Sequence, residues 1–215
     1  MSQPRLDPQL WATYGGGALR SYRRHGVECA LDRPALDSGT DTVMFFVIVD
    51  EAERMLGGVR AKGPLRHAED SHALVEWHEH PAQPAVHKMI TDRLPYGVLE
   101  MKSAWVSDTA PHTEGMTNAL ARSGFHMMAL LDAQFCMATA AAYVLNRWRS
   151  SGGVIAPIAA TAYPDHRYQT KMMWWDRSTF IRHAQPHQAA KIFTETNRIK
   201  TMVRDSELLR GAPAT

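Results

Sequence analysis

The chain has 215 residues, 45% of them hydrophobic and 21% charged, enough for one sizeable core and too few for a second independent domain. Its formal net charge of +2 lacks the excess of Lys and Arg that marks a dedicated nucleic-acid binder, so no nucleic-acid partner is expected. The two cysteines, Cys29 and Cys136, are far apart and suggest neither a disulfide framework nor a CxxC pair, as in a reducing compartment.

In chain order, Leu10, Trp11, Tyr14, Leu19 and Tyr22 share one helical face over residues 8–24, interrupted by Gly15, Gly16 and Gly17. This spacing predicts one weak helix or two short ones. Residues 43–49 form a continuous β-branched and aromatic run, the signature of a buried strand. A polar turn at 50–53 leads to a returning strand over 55–61. Residues 64–95 read as a long excursion across the surface, carrying five of the eleven histidines and one short helix at 85–94. An excursion of that length is expected to wall a substrate site. Residues 97–106 return as a strand, and a turn-rich loop at 107–111 leads into a helix over 116–131. Propensity alone draws a single helix from 133 to 150. A strand at 154–161, a loop at 163–168, a strand at 171–176 and a closing helix at 188–205 follow, with a frayed tail at 211–215.

Residues 125–145 are apolar enough to raise the question of a membrane span. Asp132 lies near their middle, among side chains that are mostly Ala and Met. A mid-bilayer aspartate costs about 2.5–3.5 kcal/mol on the insertion scale, so the stretch is expected to be buried core. The first residues carry no basic segment leading into an apolar one, and a cytoplasmic protein without a membrane span is expected.

The order of helix, hairpin, strand, helix and further strand–helix–strand resembles the GCN5-related N-acetyltransferase (GNAT) fold. That resemblance implies an α/β architecture in a single domain, a mixed, mostly antiparallel sheet flanked by helices. Residues 1–210 would form that domain. In the GNAT family a loop motif, Gln/Arg-x-x-Gly-x-Gly/Ala, leads into a helix carrying a Leu and holds a cofactor pyrophosphate. Here His112, Gly115, Met116 and Thr117 fall in that register, with Leu120 in the place of the helix Leu. A helix start offers unpaired N–H groups and a positive dipole end to a phosphate, and Gly115 allows close backbone approach.

Asp41, the strand that follows it, Asp50, Gly57, Gly58, Val59, Arg60, the long excursion and Glu100 resemble the acyl-homoserine-lactone synthases and the related N-acyl amino acid synthases. The resemblance spans roughly residues 41–153. It implies transfer of an acyl group from an acyl thioester, acyl-CoA or acyl-phosphopantetheine on an acyl carrier protein, to the amine of an amino acid or similar small molecule. It places Arg60 and Glu100 beside the acceptor pocket, with Glu100 a sensible base for the attacking amine; the plainer reading is a cross-strand ion pair between the two. Arg122, Arg147 and Arg149 are candidates to meet an acidic carrier protein. Two positions depart from the pattern. Ser103 stands where the lactone synthases carry an Arg, and Trp148 where a GNAT tyrosine protonates the leaving thiolate. Trp148 can pack against a pantetheine arm but has no proton to give. These departures leave open a GNAT-like ligand-binding or regulatory module without catalysis. The same alignment turns residues 133–139 into a strand and 140–150 into a helix, against local propensity. His72, His78, His80 and His87 lack the cysteines or HExxH spacing of a metal site, so no metal is expected and a solvated loop is the reading. The pair Trp174 and Trp175 is read as one core and one surface aromatic.

Overall fold

The structure is a computed structural model that describes residues 1–108, 110 and 113–211, with side chains as far as Arg204 in the last helix. A seven-stranded sheet runs through it in the order β1 (Thr42–Val49), β2 (Met55–Lys62), β3 (Val98–Val106), β4 (Phe135–Ala141), β7 (Gln169–Asp176) and β5 (Val154–Ile155). The short β6 (Thr161–Ala162) also pairs with β7. All pairings are antiparallel except β3 with β4. This is the mixed, mostly antiparallel sheet expected from the order of elements.

Helix α1 (Pro8–Arg24) is continuous through the three glycines. Asp7 caps it, accepting from the Leu10 N–H, and proline opens its first turn. Packing demands a glycine at Gly17, where a Cβ would lie 2.0 Å from Cζ2 of the Trp105 indole; Gly15 and Gly16 face no such obstacle. Trp11, Tyr14 and Ala18 of α1, Leu36 of α2 (Arg33–Ser38), Phe45 and Trp105 form a small core on one face of the sheet.

Residues 64–95, expected as a surface excursion, instead supply the rest of that face. Leu65, Ala68, Ala73, Trp77, Val86 and Ile90 are buried against Val98, Met137, Met172 and Trp174. The segment folds into α3 (Ala73–Glu76) and α4 (Gln83–Thr91), so its helix starts and ends a few residues before the expected 85–94. Its apolar residues are spaced irregularly among histidines and prolines, and only packing on the sheet shows them to be core.

The opposite face is covered by α5 (Thr113–Leu130), α6 (Ala142–Trp148) and α7 (Pro186–Gly211). Their apolar residues pack on Val59, Leu99, Met101, Cys136, Ala138 and Met173. Residues 135–141 are strand despite their helical propensity. β4 is flanked on both sides by β3 and β7, and ladder bonding there outweighs a preference of tenths of a kcal/mol per residue. The strand expected at 154–161 is interrupted by Pro157, leaving the two-residue β5 and β6. Trp174 and Trp175 are both buried, one on each face of β7, so neither is a surface aromatic. Helix α7 extends beyond the expected 188–205 at both ends, through Gly211; residues 212–215 of the expected tail lie outside the described residues.

Arg122 on α5 is no surface charge. It donates to both carboxylate oxygens of Glu195 on α7, at 2.8 and 2.7 Å, and to Gln188 Oε1 at 2.9 Å. His126 adds contacts to Thr196 and Glu195. This clamp joins the two long helices and withdraws Arg122 from any role toward a carrier protein.

Two outcomes follow for stability. Gly17→Val is expected to lower the denaturant midpoint by a cost of about 1–3 kcal/mol or more, because the Trp105 ring has nowhere to move without opening the core between α1 and β3. Burial alone would raise the Glu195 pKa, but hydrogen bonds from His126 and Arg122 outweigh it and hold the carboxyl down at about 2. A depressed carboxylate contributes stability above its unfolded value, near 4.5, and loses it as pH falls toward the folded value. Thermal unfolding between pH 5 and pH 2 is therefore expected to show a shallower acid loss for Glu195→Gln than for the unaltered chain.

Candidate functional site

The site arises where β3 and β4 part. Their registered pairs run only from Val98–Phe135 to Met101–Ala138, although β3 continues to Val106 and β4 to Ala141. At the same point β3 carries an extra residue. Gly58 faces Trp105 and Arg60 faces Lys102, so two steps on β2 oppose three on β3. Ser103 within this bulge has φ 53°, left-handed for a non-glycine residue. A bulge bends and twists its strand, and here it swings the end of β3 away from β4.

A cavity of about 510 Å³ fills the gap. Residues 102–106 of β3 and 138–141 of β4 form its sides. One end reaches the start of α5 and α6 through Thr113, Thr117, Leu120 and Trp148; the other reaches Tyr22, Glu76 and Tyr163. The cavity thus passes through the sheet, joining elements that cover opposite faces. A larger groove of about 850 Å³ runs between α1 and α2, but it lies away from this parting.

Glu76 of α3 and Lys102 of β3 meet at the inner end. Lys102 Nζ donates to Glu76 Oε1 at 2.7 Å, and Thr139 Oγ1 of β4 donates to the same oxygen at 2.8 Å. Both side chains are nearly sealed from solvent, at 10% and 3% exposure. Glu76 Oε2 is buried with no hydrogen-bond partner. Burial works against the Lys102 charge, but the Glu76 and Glu100 carboxylates outweigh it and hold the pKa above the usual lysine value. The ammonium is therefore fixed as a cation.

Arg60 and Glu100 lie behind this pair rather than in the cavity. They sit on adjacent strands but are not partners: Arg60 stands opposite Lys102, and Glu100 opposite Lys62. Arg60 is 1% exposed and spends its charge on Asp41, with Thr42 Oγ1 at 2.8 Å. Ser103, in the position where the lactone synthases carry an arginine, touches the Arg60 Nε at 3.5 Å. Glu100 is fully buried; its Oε2 accepts from the His72 N–H at 3.0 Å and its Oε1 has no partner. Burial pushes its carboxyl above the usual range.

On the other side of the sheet, α5 begins at Thr113, earlier than the expected 116, so Gly115, Met116 and Thr117 lie within its first two turns. Only the N–H groups of the first turn, up to Gly115, lack partners within the helix itself, whereas the Thr117 N–H stands four residues on from the Thr113 carbonyl. Gly115 is exposed, and a Cβ there would meet nothing within 4 Å, so the space in front of it is open to a ligand. Leu120 is buried and lines the cavity. Trp148 also lines it, packed on Trp175 with ring centroids 5.9 Å apart. His112 lies outside the described residues.

Of the excursion's histidines, His78 and His87 are exposed and lie beside nearby carboxylates, His87 also contacting the Thr91 hydroxyl. His72 alone approaches the cavity, its Nε2 lying 3.1 Å from the Tyr163 hydroxyl. Among the described residues no cluster of three or more His, Cys, Asp or Glu could hold a metal ion, and no helix is long and apolar enough to cross a membrane.

No protein-family profile matches the chain. Over all 215 residues it is 52% identical to Uncharacterized protein Rv1356c of Mycobacterium tuberculosis and to its counterpart in Mycobacterium bovis, covering 81% of each. The chain belongs to this mycobacterial family. Among solved structures it is similar to FeeM, an N-acyl amino acid synthase from uncultured soil microbes. The TM-score is 0.60 at 11% identity, over 83% of this chain and 97% of FeeM. The chain therefore shares the fold of FeeM, in keeping with the GNAT-like architecture expected from the order of its elements.

The sequence singles out Arg60 and Glu100 as acceptor-side candidates, whereas the polar side chains that line the cavity include Glu76, Lys102 and Tyr163, which it does not single out. Lys102 was within reach, two residues from Glu100 on the same strand face. Glu76 and Tyr163 carried no signal, because nothing local distinguishes them from surface residues.

Removing one member of the buried pair leaves its partner charged and uncompensated. Glu76→Ala is expected to destabilise by about 3–5 kcal/mol, whereas Glu76→Gln combined with Lys102→Met should recover most of that loss. Urea denaturation of the single and double variants measures the coupling.

Proposed function

We propose that the protein is an N-acyltransferase, moving an acyl group from a thioester of acyl carrier protein or CoA to the amine of an amino acid or similar small molecule. The observation that carries this reading is the cavity through the parted β3 and β4, which joins the start of α5 to the Glu76–Lys102 pair. Such a passage lets two substrates enter from opposite faces and meet between the strands.

On the α5 side, the unpaired first-turn amides up to Gly115 suit the phosphate of a phosphopantetheine, with Met116 and Thr117 next along the helix and His112 adjoining in sequence. Trp148 offers an apolar wall to the pantetheine arm. Where ladder pairing stops after Met101 and Ala138, backbone groups of the two strands become available to the arm's amides and to the thioester carbonyl. On the other side, Lys102 can meet an acceptor carboxylate, and the unpartnered Oε2 of Glu76 can accept from its amine. Arg60 and Glu100 act through others: Arg60 braces Asp41 and the bulge at Ser103, and Glu100 anchors the His72 backbone. Aminolysis of a thioester needs a neutral nitrogen in line with the carbonyl, and positioning both supplies a large share of the rate. The resemblance to FeeM supports the same reading, since that protein is an N-acyl amino acid synthase. Trp148 in the place of the GNAT tyrosine favours the second reading, a GNAT-like module that binds ligand without turnover.

Incubation with palmitoyl carrier protein or palmitoyl-CoA and a mixture of the standard amino acids, followed by mass spectrometry, is expected to reveal N-palmitoyl products. Glu76→Gln should lower their rate by about 10²-fold or more. A thermal shift with palmitoyl-CoA but no product would favour the binding module. Neither shift nor product would remove both readings.

A further inference from the structure

The acyltransferase reading leaves unassigned the group that finally carries the proton lost by the acceptor nitrogen. Tyr163 follows β6 and lines the cavity beside Glu76 and Lys102. Its backbone is pinned: its N–H donates to the Tyr168 carbonyl at 3.2 Å, and its carbonyl accepts from Thr170 Oγ1 at 2.7 Å. Its hydroxyl lies 3.1 Å from Nε2 of His72, with the two rings edge to face at 74°. His72 is fixed in turn, through its own N–H on the buried Glu100 carboxylate. Two rings from distant parts of the chain are thus held in contact, from opposite sides of the acceptor end.

We infer that Tyr163 and His72 form a proton relay, in which the tyrosine oxygen takes the proton from the acceptor nitrogen while passing its own to Nε2 of His72. The inference rests on the acyltransferase reading and adds a path to it. The nitrogen lone pair attacks the thioester carbonyl carbon, and a C–N bond forms. The C–S bond then breaks, and its electron pair leaves with the thiolate. The proton lost by nitrogen appears on His72, which returns it to solvent through its exposed edge, and the thiolate takes one up from solvent. No oxidant or further reactant is needed.

The surroundings of His72 fit the part of acceptor. Burial first, then the Lys102 ammonium, hold the imidazole down at about 4, with Lys62 and Arg60 of β2 acting in the same direction and Glu76 against them. The ring is therefore neutral at physiological pH, free to take the tyrosine proton. Such a ring is a weak base, but a weak base suffices: a nitrogen that has become attached to an acyl carbon is far more acidic than the free ammonium. Burial also keeps the Tyr163 hydroxyl protonated, so it carries the proton that must be handed on. Glu76 orients the amine through its unpartnered Oε2 and has its charge committed to Lys102 through Oε1.

Three proteins decide the matter: the unaltered chain, Tyr163→Phe and His72→Gln. The glutamine can still accept a hydrogen bond from the tyrosine but cannot take its proton. Thiol release from palmitoyl carrier protein would be followed with the amino acid acceptor identified by mass spectrometry, alongside thermal unfolding to confirm that each variant is folded. Both variants are expected to lose kcat by at least about tenfold, with KM for the amine within about threefold of the unaltered value. Turnover by Tyr163→Phe at the unaltered rate would overturn the relay, and so would a slow Tyr163→Phe beside a fully active His72→Gln. Absence of product from the unaltered chain would instead overturn the acyltransferase reading, and the relay with it.

Discussion

Two parallel strands that pair for four residues and then separate set the terms for the rest of the molecule. A sheet interior normally has no gap, because every N–H and C=O of a central strand must find a partner. Here the bulge at Ser103 turns the end of β3 away from β4, and the opening must be lined by groups able to meet unpaired backbone. Helix α5 brings its amide-rich start to one side. The Glu76–Lys102 pair and Tyr163 close the other. The chain keeps this bulge although it places a non-glycine residue at positive φ, a strain that sites of function often carry.

The charges beneath the opening form a chain of mutual support. Asp41 answers Arg60, Glu76 answers Lys102, and Glu100 takes the His72 backbone. Each group would be costly to bury alone, and a buried pair adds little net stability over an apolar one. Such a network is better understood as fixing positions than as holding the fold together. It ties the excursion to the strands at their point of divergence, and so sets the distance between the walls of the acceptor end. The excursion therefore does two things: its apolar side covers the sheet while Glu76 reaches the cavity.

The clamp between α5 and α7 serves the opposite face. Arg122, His126 and Glu195 hold the two longest helices together, and this fixes where the start of α5 stands relative to the parted strands. Tyr143, Arg147 and Arg149 are exposed on that side of the molecule, whereas Arg122 is buried within the clamp.

The sequence by itself determined the first hairpin, β3, the helix after it and the closing helix, because each is a run of uniform period bounded by clear turns. It also determined the general family of folds, through the order of those elements and the spacing of Gly115 and Leu120. It did not determine β4, whose alanines and methionines prefer helix in isolation and become strand only between β3 and β7. Nor did it determine the excursion: Val86 and Ile90 share one helical face, but Leu65, Ala68 and Trp77 belong to no continuous period that would mark them as core. The site divides in the same way. Glu100 and Arg60 stood out because they sit on strong strands, yet tertiary packing places them behind the cavity. Glu76, Tyr163 and His72 come together from separate segments, and contacts between residues far apart in the chain leave no trace in local pattern. Only the folded sheet, by parting where it does, decided which side chains line the cavity.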